Sequence, residues 1–172
     1  MKIALDIGHA NGTGSASDGV DEHEYCSAMA SILAAQLKDR HDVKIFDFPH
    51  LSNSADLAAT VKTINAGEFD LVISLHCDYS DNSGARGAHV CYYSQTGKKY
   101  AASIARYLCQ LMPGRAEKIV RRPGLYVLNS TDDPAVLIEF GFVSNTGDVQ
   151  KMRTQAQALA RAVVNGINAA EV

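Results

Sequence analysis

A chain of 172 residues with 47% hydrophobic residues and a formal net charge of −3 at pH 7 has the composition of an ordinary globular protein. The charge is small and no basic block is present, so we expect no nucleic-acid partner. No apolar run approaches the ~20 residues that span a bilayer, so we expect no membrane insertion. The length suffices for a substantial core, and we expect a single domain over residues 1–172.

Strand and helix patterns alternate along the chain. The predicted elements are, in chain order, strand 2–8, helix 22–39, strand 43–48, helix 54–66, strand 69–75, strand 89–93, helix 97–112, short strand 125–128, strand 135–140 and helix 147–169. Polar loops are predicted over 78–87 and 115–122. This alternation predicts an α/β domain with three layers, in which helices flank a mostly parallel sheet on both faces.

Two histidines follow apolar strands and form a candidate metal pair. His9 comes directly after the first strand, and His76 ends the strand over 69–75. Parallel α/β sheets place their ligand sites at the carboxyl ends of the strands. Cys77 is a further donor next to His76, but neighbours on a strand point to opposite faces, which favours a packed thiol. The four cysteines contain no C-x-x-C pair, so a zinc ribbon is not expected.

A carboxylate at the start of the first predicted helix could complete the metal site. Asp21, Glu22 and Glu24 cluster there. Glu22 precedes Tyr25 by three residues and therefore shares the face of the apolar stripe, whereas Glu24 lies about 100° away and is expected to face solvent. Helix spacing thus favours Glu22. His23 is expected to be a solvated residue at the helix start.

Glu139 is the other informative acid, because it ends the apolar strand that begins at Ala135. A buried carboxylate is unfavourable unless it is paired or near a metal ion. Beside a metal-bound water, a glutamate commonly acts as general base. A glutamate that turns to solvent at a strand end is the plain alternative. The two strand-end histidines in the same chain favour the functional interpretation.

Four motifs occur in a fixed order: DIGH at 6–9, DGV at 18–20 followed by Glu22, ISLH at 73–76 and VLIEFGFVSN at 136–145. Together they resemble the catalytic domains of zinc-dependent N-acetylmuramoyl-L-alanine amidases of the amidase-3 type, most closely those of phage and prophage endolysins. The resemblance implies a twisted six-stranded sheet. It also implies that His9, Glu22 and His76 bind Zn²⁺ and that Glu139 is catalytic.

The resemblance implies a substrate as well, namely the amide bond between the lactyl group of muramic acid and L-alanine in peptidoglycan. Asn11 and Asp78 stand where the family commonly has other residues, and both are candidate substrate contacts. Arg121 and Arg122 belong to the one local cationic cluster and are candidate contacts for the carboxylates of the stem peptide. A solvated loop is an equally good interpretation of these arginines.

The N-terminal apolar stretch is too short and too polar for a signal-peptide core. We therefore expect cytoplasmic synthesis, followed by action on the cell wall after release, and a monomer or a weak dimer. The main alternative is a zinc peptidase that cuts within the stem peptide. Such enzymes commonly carry an H-x-x-E pair, whereas His9 is followed at that spacing by Gly12 and His76 by Tyr79.

Overall fold

The computed structural model of the protein describes residues 1–10, 12–17, 19–48 and 50–171. Six strands form the main sheet in the order β4-β1-β5-β8-β6-β7. These strands are β1 (Lys2–Ile7), β4 (Asp42–Phe46), β5 (Leu71–Asp78), β6 (His89–Tyr92), β7 (Ile119–Arg121) and β8 (Ala135–Phe142). Neighbouring strands run parallel except β6 and β8, which are antiparallel. The predicted α/β class with a mostly parallel six-stranded sheet is confirmed.

The helices are α1 (Glu22–Leu37), α2 (Asn53–Asn65), α3 (Gln95–Leu111), α4 (Tyr126–Asn129), α5 (Thr146–Thr154) and α6 (Ala156–Ala170). A side-chain oxygen caps the start of four of them and accepts a hydrogen bond from a first-turn amide; the capping residues are Asp21, Ser52, Ser94 and Asn145. Among the described residues, no helix is long and apolar enough to cross a membrane.

The strands bury both of their faces, which explains their continuous apolar runs. Ile3 and Leu5 of β1 face the larger apolar cluster, which contains residues of α1, α3, α5 and α6. Ala4, between them, faces the smaller cluster, to which α2 and α4 contribute. The helices therefore lie on both sides of the sheet, as the alternation of patterns predicted.

Several predicted elements differ from the structure. Residues 125–128 were predicted as a strand, but Tyr126–Asn129 is a single helical turn whose Val127 and Leu128 pack on the smaller cluster. The predicted polar loop over 115–122 contains β7, because Ile119 and Val120 pair with β6. The predicted closing helix 147–169 is two helices that meet at Gln155, where ψ is 17°.

A short hairpin and an extended strand shape the region around the site. The strands β2 (Ala16–Ser17) and β3 (Val20–Asp21) form a two-residue antiparallel ladder directly before α1, within a segment predicted as a loop. The strand β5 does not end at His76 but continues to Asp78, with a shift of its register against β8 between these two residues. A register shift of this kind re-aims side chains at a strand end.

Candidate functional site

Three side chains with metal-ligating atoms converge at one edge of the sheet. The donor atoms of His9, Glu22 and His76 lie within 4.8 Å of one another. Nε2 of His9 is 3.5 Å from Oε2 of Glu22, and Nδ1 of His76 is 3.1 Å from Oε1. The two imidazole rings meet edge to face, with centroids 5.0 Å apart. We call this group the His–Glu–His cluster; it is the one such group found among the described residues.

The ends of β1 and β5 bring the two imidazoles together. Gly8 extends the pairing of these strands, since its amide donates to the carbonyl of Leu75. His9 then turns away from the strand with a φ of 62°, a left-handed conformation that is uncommon for a residue with a side chain. Gly8 has no side chain, and a Cβ there would overlap the His76 imidazole. A glycine is therefore required for this approach of ring to backbone.

The carboxylate of Glu22 points into the site from the first residue of α1, and its side chain is almost fully buried. Oε1 accepts from the amide of Cys77 at 2.9 Å, and Oε2 accepts from the amide of Ser15 at 2.8 Å. Glu24 is exposed, and its amide instead donates to the capping carboxylate of Asp21. The prediction that Glu22 faces inward and Glu24 outward is confirmed.

The electrostatics of the cluster favour an anionic Glu22 carboxylate. Burial acts to raise the pKa of Glu22, but the hydrogen bond and charge of His76, with the two amides, outweigh it and lower the pKa. Burial acts to lower the pKa of His76, yet the hydrogen bond that its ring donates to Glu22 and the charge of Glu139 raise it. An anionic carboxylate and two imidazoles are the donors that catalytic zinc takes, with one position left open for water. The residues present therefore fit a zinc ion.

Glu139 lies beside this cluster on the neighbouring strand. It is the register partner of His76 across β5 and β8, and of His89 across β8 and β6. Its Oε2 is buried and has no hydrogen-bond partner among the described residues. Burial raises the pKa of Glu139 to about 8. The site thus places a carboxyl group with a pKa close to neutrality next to the candidate metal ligands, as a general acid–base requires.

An apolar cleft meets the cluster on the α2 and α4 side. Its lining includes the apolar residues Leu57 and Leu125, the ring of Tyr126, and the polar residues Asp6 and His76. Tyr126 is 47% exposed, which is unusual for a large ring and places it at the rim. Apolar clefts with a few convergent polar groups are typical ligand sites. The cleft offers a substrate a route to the cluster.

The structure separates the candidate substrate contacts. Asn11 lies outside the described residues. Asp78 lies at the end of β5, where its Oδ2 is 3.3 Å from Nδ1 of His89. The Arg121 guanidinium lies 5.0 Å from the ring centroid of Tyr93, whereas Arg122 lines a separate cleft. The roles of all four as substrate contacts stay predictions.

Sequence reasoning missed several buried polar residues around the site. His89 is 3% exposed although it was treated only as a strand residue. Asp6 is buried within β1 and accepts a hydrogen bond from Ser74 Oγ at 2.5 Å. A carboxylate inside an apolar strand was the available signal, because such a group needs a partner. His23 was predicted to be solvated, and this is wrong: it is buried and its Nε2 lies 3.0 Å from Asp47.

Cys77 behaves as the strand geometry predicted. It faces the larger apolar cluster, opposite to His76, and is 4% exposed. Burial raises the pKa of its thiol well above the ordinary value. Cys77 is therefore a packed thiol on the far side of β5, and its side chain is not part of the His–Glu–His cluster.

Comparisons with known proteins point to one family. A family model described as N-acetylmuramoyl-L-alanine amidase, Amidase_3, matches residues 3–169. The uncharacterized protein YqiI of Bacillus subtilis is 27% identical over 177 residues, which cover 96% of this chain and 82% of that protein. The N-acetylmuramoyl-L-alanine amidase LytC of Bacillus subtilis is 27% identical over 162 residues, covering 88% of this chain but only 31% of LytC.

Solved structures show the same architecture. The catalytic domain of the CD27L endolysin targeting Clostridia difficile superposes with a TM-score of 0.90 at 30% identity, covering 98% of this chain and 97% of that domain. The catalytic domain of CwlV, an N-acetylmuramoyl-L-alanine amidase from Bacillus (Paenibacillus) polymyxa, gives a TM-score of 0.84 at 22% identity, with 98% and 96% covered. The second likeness is one of fold alone.

Proposed function

This chain belongs to the Amidase_3 family of N-acetylmuramoyl-L-alanine amidases, which act on peptidoglycan, and from that premise we propose a zinc-dependent mechanism for it. In the proposal, the His–Glu–His cluster holds one zinc ion, and the enzyme hydrolyses the amide between the muramoyl lactyl group and L-alanine. The observation that carries the proposal is the convergence of three donor groups within 4.8 Å, with Glu139 on the adjacent strand.

A zinc ion in such a site lowers the pKa of a water molecule and polarises the carbonyl group under attack. The protein side chains supply the rest. The amides of Ser15 and Cys77 hold the Glu22 carboxylate in place, and Glu22 in turn fixes the orientation of His76. Groups that orient a ligand in this way keep a site ready for the reaction.

Glu139 is the proton carrier in this proposal. Its carboxylate accepts a proton from the attacking water while the water oxygen bonds to the amide carbon. The carbon–nitrogen bond then breaks, and Glu139 delivers the proton to the departing amine of L-alanine. The products are a free lactyl carboxylate and a peptide with a free amino terminus. Burial raises the pKa of Glu139 in the metal-free protein, and the positive charge of a bound zinc ion would lower it, so that the group can both accept and release a proton near neutral pH.

We further propose an endolysin-like role in which the protein degrades the cell wall. The extent and identity of the likeness to the CD27L catalytic domain support it. The relatives also include Bacillus amidases, and the likenesses assign no prophage origin. Cytoplasmic synthesis with later release to the wall stays a prediction, which cell fractionation would test.

Mass spectrometry of digested peptidoglycan tests the bond assignment. The zinc-loaded protein should release intact stem peptides that begin with a free L-alanine, and should leave glycan strands with free lactyl carboxylates. Chelation with EDTA should stop the release, and added zinc should restore it. Fragments cut within the stem peptide would instead show a peptidase, and new reducing sugar ends would show a glycosidase.

A further inference from the structure

A second cleft lies between the loop before β6 and the segment that leads from α3 into β7. Its charged lining residues are Arg86, Arg115, Arg122 and Glu117, so the cleft is net positive. Arg86 and Arg122 are exposed, and neither forms an ion pair with another described residue. We call this second cleft the arginine cleft. A local excess of guanidinium groups favours a planar anion such as a carboxylate.

One arginine of this cleft is fixed by buried partners. Nη2 of Arg115 lies 3.3 Å from Nε2 of His89 and 3.8 Å from Oδ2 of Asp78. Its guanidinium also lies 5.4 Å from the ring centroid of Phe142. Burial, together with the charges of Arg115 and Arg122, lowers the pKa of His89 to about 4. A neutral His89 can accept a hydrogen bond from Arg115 through Nε2, while its Nδ1 lies 3.3 Å from Oδ2 of Asp78 without a hydrogen bond between these two atoms.

The backbone around Arg115 is clamped to the loop before β6. Gly87 has a φ of 92°, and a Cβ there would lie 2.8 Å from the amide nitrogen of Gly114. The amide of Gly87 also donates to the buried carboxylate of Asp148 at 2.7 Å. Ala88 donates to the carbonyl of Met112 at 3.0 Å. These contacts hold the two walls of the arginine cleft at a fixed separation, so a ligand would find it preorganised.

The arginine cleft adjoins the catalytic carboxyl group. His89, which contacts Arg115, is the direct register partner of Glu139 on the neighbouring strand. Asp78 lies on β5 two residues beyond His76. The positive charge of Arg115 also acts to lower the pKa of Glu139, though burial raises it more. A substrate bound at the cluster therefore lies next to the arginines.

We propose that the arginine cleft binds a free carboxylate of the peptide that follows the scissile amide, and that it selects acidic stem peptides over amidated ones. The identity of the ligand rests on the proposed function. Arg122 and Arg86 would contact the carboxylate, and Arg115 would be held for the same purpose by His89 and Asp78. An amide in place of the carboxylate would lose the charge-assisted hydrogen bonds to the guanidinium groups.

Calorimetry with a product-like peptide tests this proposal without requiring turnover. The probe is the tripeptide L-alanyl-γ-D-glutamyl-L-lysine, compared with the same peptide whose D-glutamate α-carboxylate is an amide. The zinc-loaded protein should bind the acid about tenfold more tightly than the amide, as expected for loss of a charge-assisted hydrogen bond. Arg122→Gln and Arg86→Gln should each reduce that preference to about twofold or less.

Lys118→Gln is the matched control, because Lys118 is an exposed cation of the same segment that does not line the cleft. It should keep the acid preference. Equal affinity of the unmodified protein for acid and amide would overturn the proposal, as would an equal loss in Lys118→Gln and Arg122→Gln. Tighter binding of glycerol phosphate that Arg122→Gln abolishes would also overturn it, in favour of a wall-polymer phosphate.

Hydrolysis of a muramoyl pentapeptide is measured separately with the same preparations. An acid preference that depends on Arg122, in a protein that does not cleave the lactyl amide, would support the cleft assignment and contradict the amidase mechanism. Cleavage of acid and amidated substrates with the same KM and kcat would support the amidase mechanism and contradict the cleft assignment. The two proposals therefore fail through different readouts.

Discussion

The His–Glu–His cluster and the arginine cleft lie side by side at one end of the sheet, but they are built from different kinds of structure. The cluster takes its donors from strand ends and from the first residue of a helix, and Glu22 is fixed by two backbone amides. The arginine cleft takes its cations from loops, and two of its three guanidinium groups are exposed.

This difference separates reactivity from selection. A donor group held by strand ends and backbone amides cannot move without disturbing its neighbours, so changes in the cluster should act on zinc and on the chemical step. Exposed arginines can be replaced with little effect on folding, so changes in the cleft should act on the choice of substrate.

Removal of one imidazole of the His–Glu–His cluster should have the largest effect on zinc binding and on wall hydrolysis. We expect His76→Ala to lose bound zinc and all measurable wall hydrolysis, because two donors remain where catalytic zinc takes three. Elemental analysis and a turbidity assay on purified peptidoglycan would measure both. His50→Ala is the matched control, since His50 is exposed and lies outside the cluster. Full zinc occupancy in His76→Ala would show that another residue is the ligand.

Replacement of Glu139, the proposed proton carrier, should separate metal binding from catalysis. We expect Glu139→Gln to keep its zinc while kcat falls by about 10²–10⁴, the usual range for loss of a general acid–base. Glu24→Gln, which changes an exposed glutamate, should keep both zinc and activity. A Glu139→Gln enzyme with normal kcat would remove Glu139 from the mechanism.

A single added methyl group should disturb the cluster from the backbone side. The Cβ in Gly8→Ala would overlap the His76 imidazole, so we expect zinc affinity to fall by about 10–100-fold, as for other changes that misorient a ligand. Competition with a fluorescent chelator would measure it. Gly124→Ala is the control, because a Cβ there meets no atom within 4 Å. Equal zinc affinities of Gly8→Ala and the unmodified protein would mean that β1 and β5 separate easily at their ends.

The smallest effect should be a pH dependence of stability that originates beside the cleft. The pKa of His89 falls from about 6.5 in an unfolded chain to about 4 in the folded protein. The unfolded state then binds more protons in this range, so stability is lost as the pH falls through 6.5 towards 4. Denaturation in EDTA should show about 2 kcal/mol lost through His89 between about pH 7.5 and about pH 5. The same pH slope in His89→Gln would assign the loss to another group.

The same division explains what could be predicted from the sequence. Buried parallel strands and one amphipathic helix leave clear apolar patterns, and these fixed the fold class and the inward face of Glu22. The segment 125–128 has the same apolar character but pairs with no strand, so its local pattern did not distinguish a helical turn from a strand. His23 is buried beside Asp47, a partner distant in sequence that no local pattern indicates.

The arginine cleft left only a partial local signal, the cationic cluster that contains Arg122. Its cations come from two segments that the fold joins through Gly87 and Gly114, and a third element holds Asp148 against them. Contacts between segments that are distant in sequence depend on the tertiary structure, and no periodicity of the sequence reveals them. Arg121 and Arg122 are neighbours in sequence, yet only Arg122 lines the cleft.

The proposed mechanism requires one zinc ion among His9, Glu22 and His76. Anomalous diffraction at the zinc absorption edge, from crystals of the zinc-loaded protein, would locate that ion. We predict one strong anomalous peak within bonding distance of all three side chains, about 2.0–2.2 Å from each donor atom. A peak at another place in the chain, or coordination by Glu24 or Cys77 in place of Glu22, would contradict the proposed mechanism.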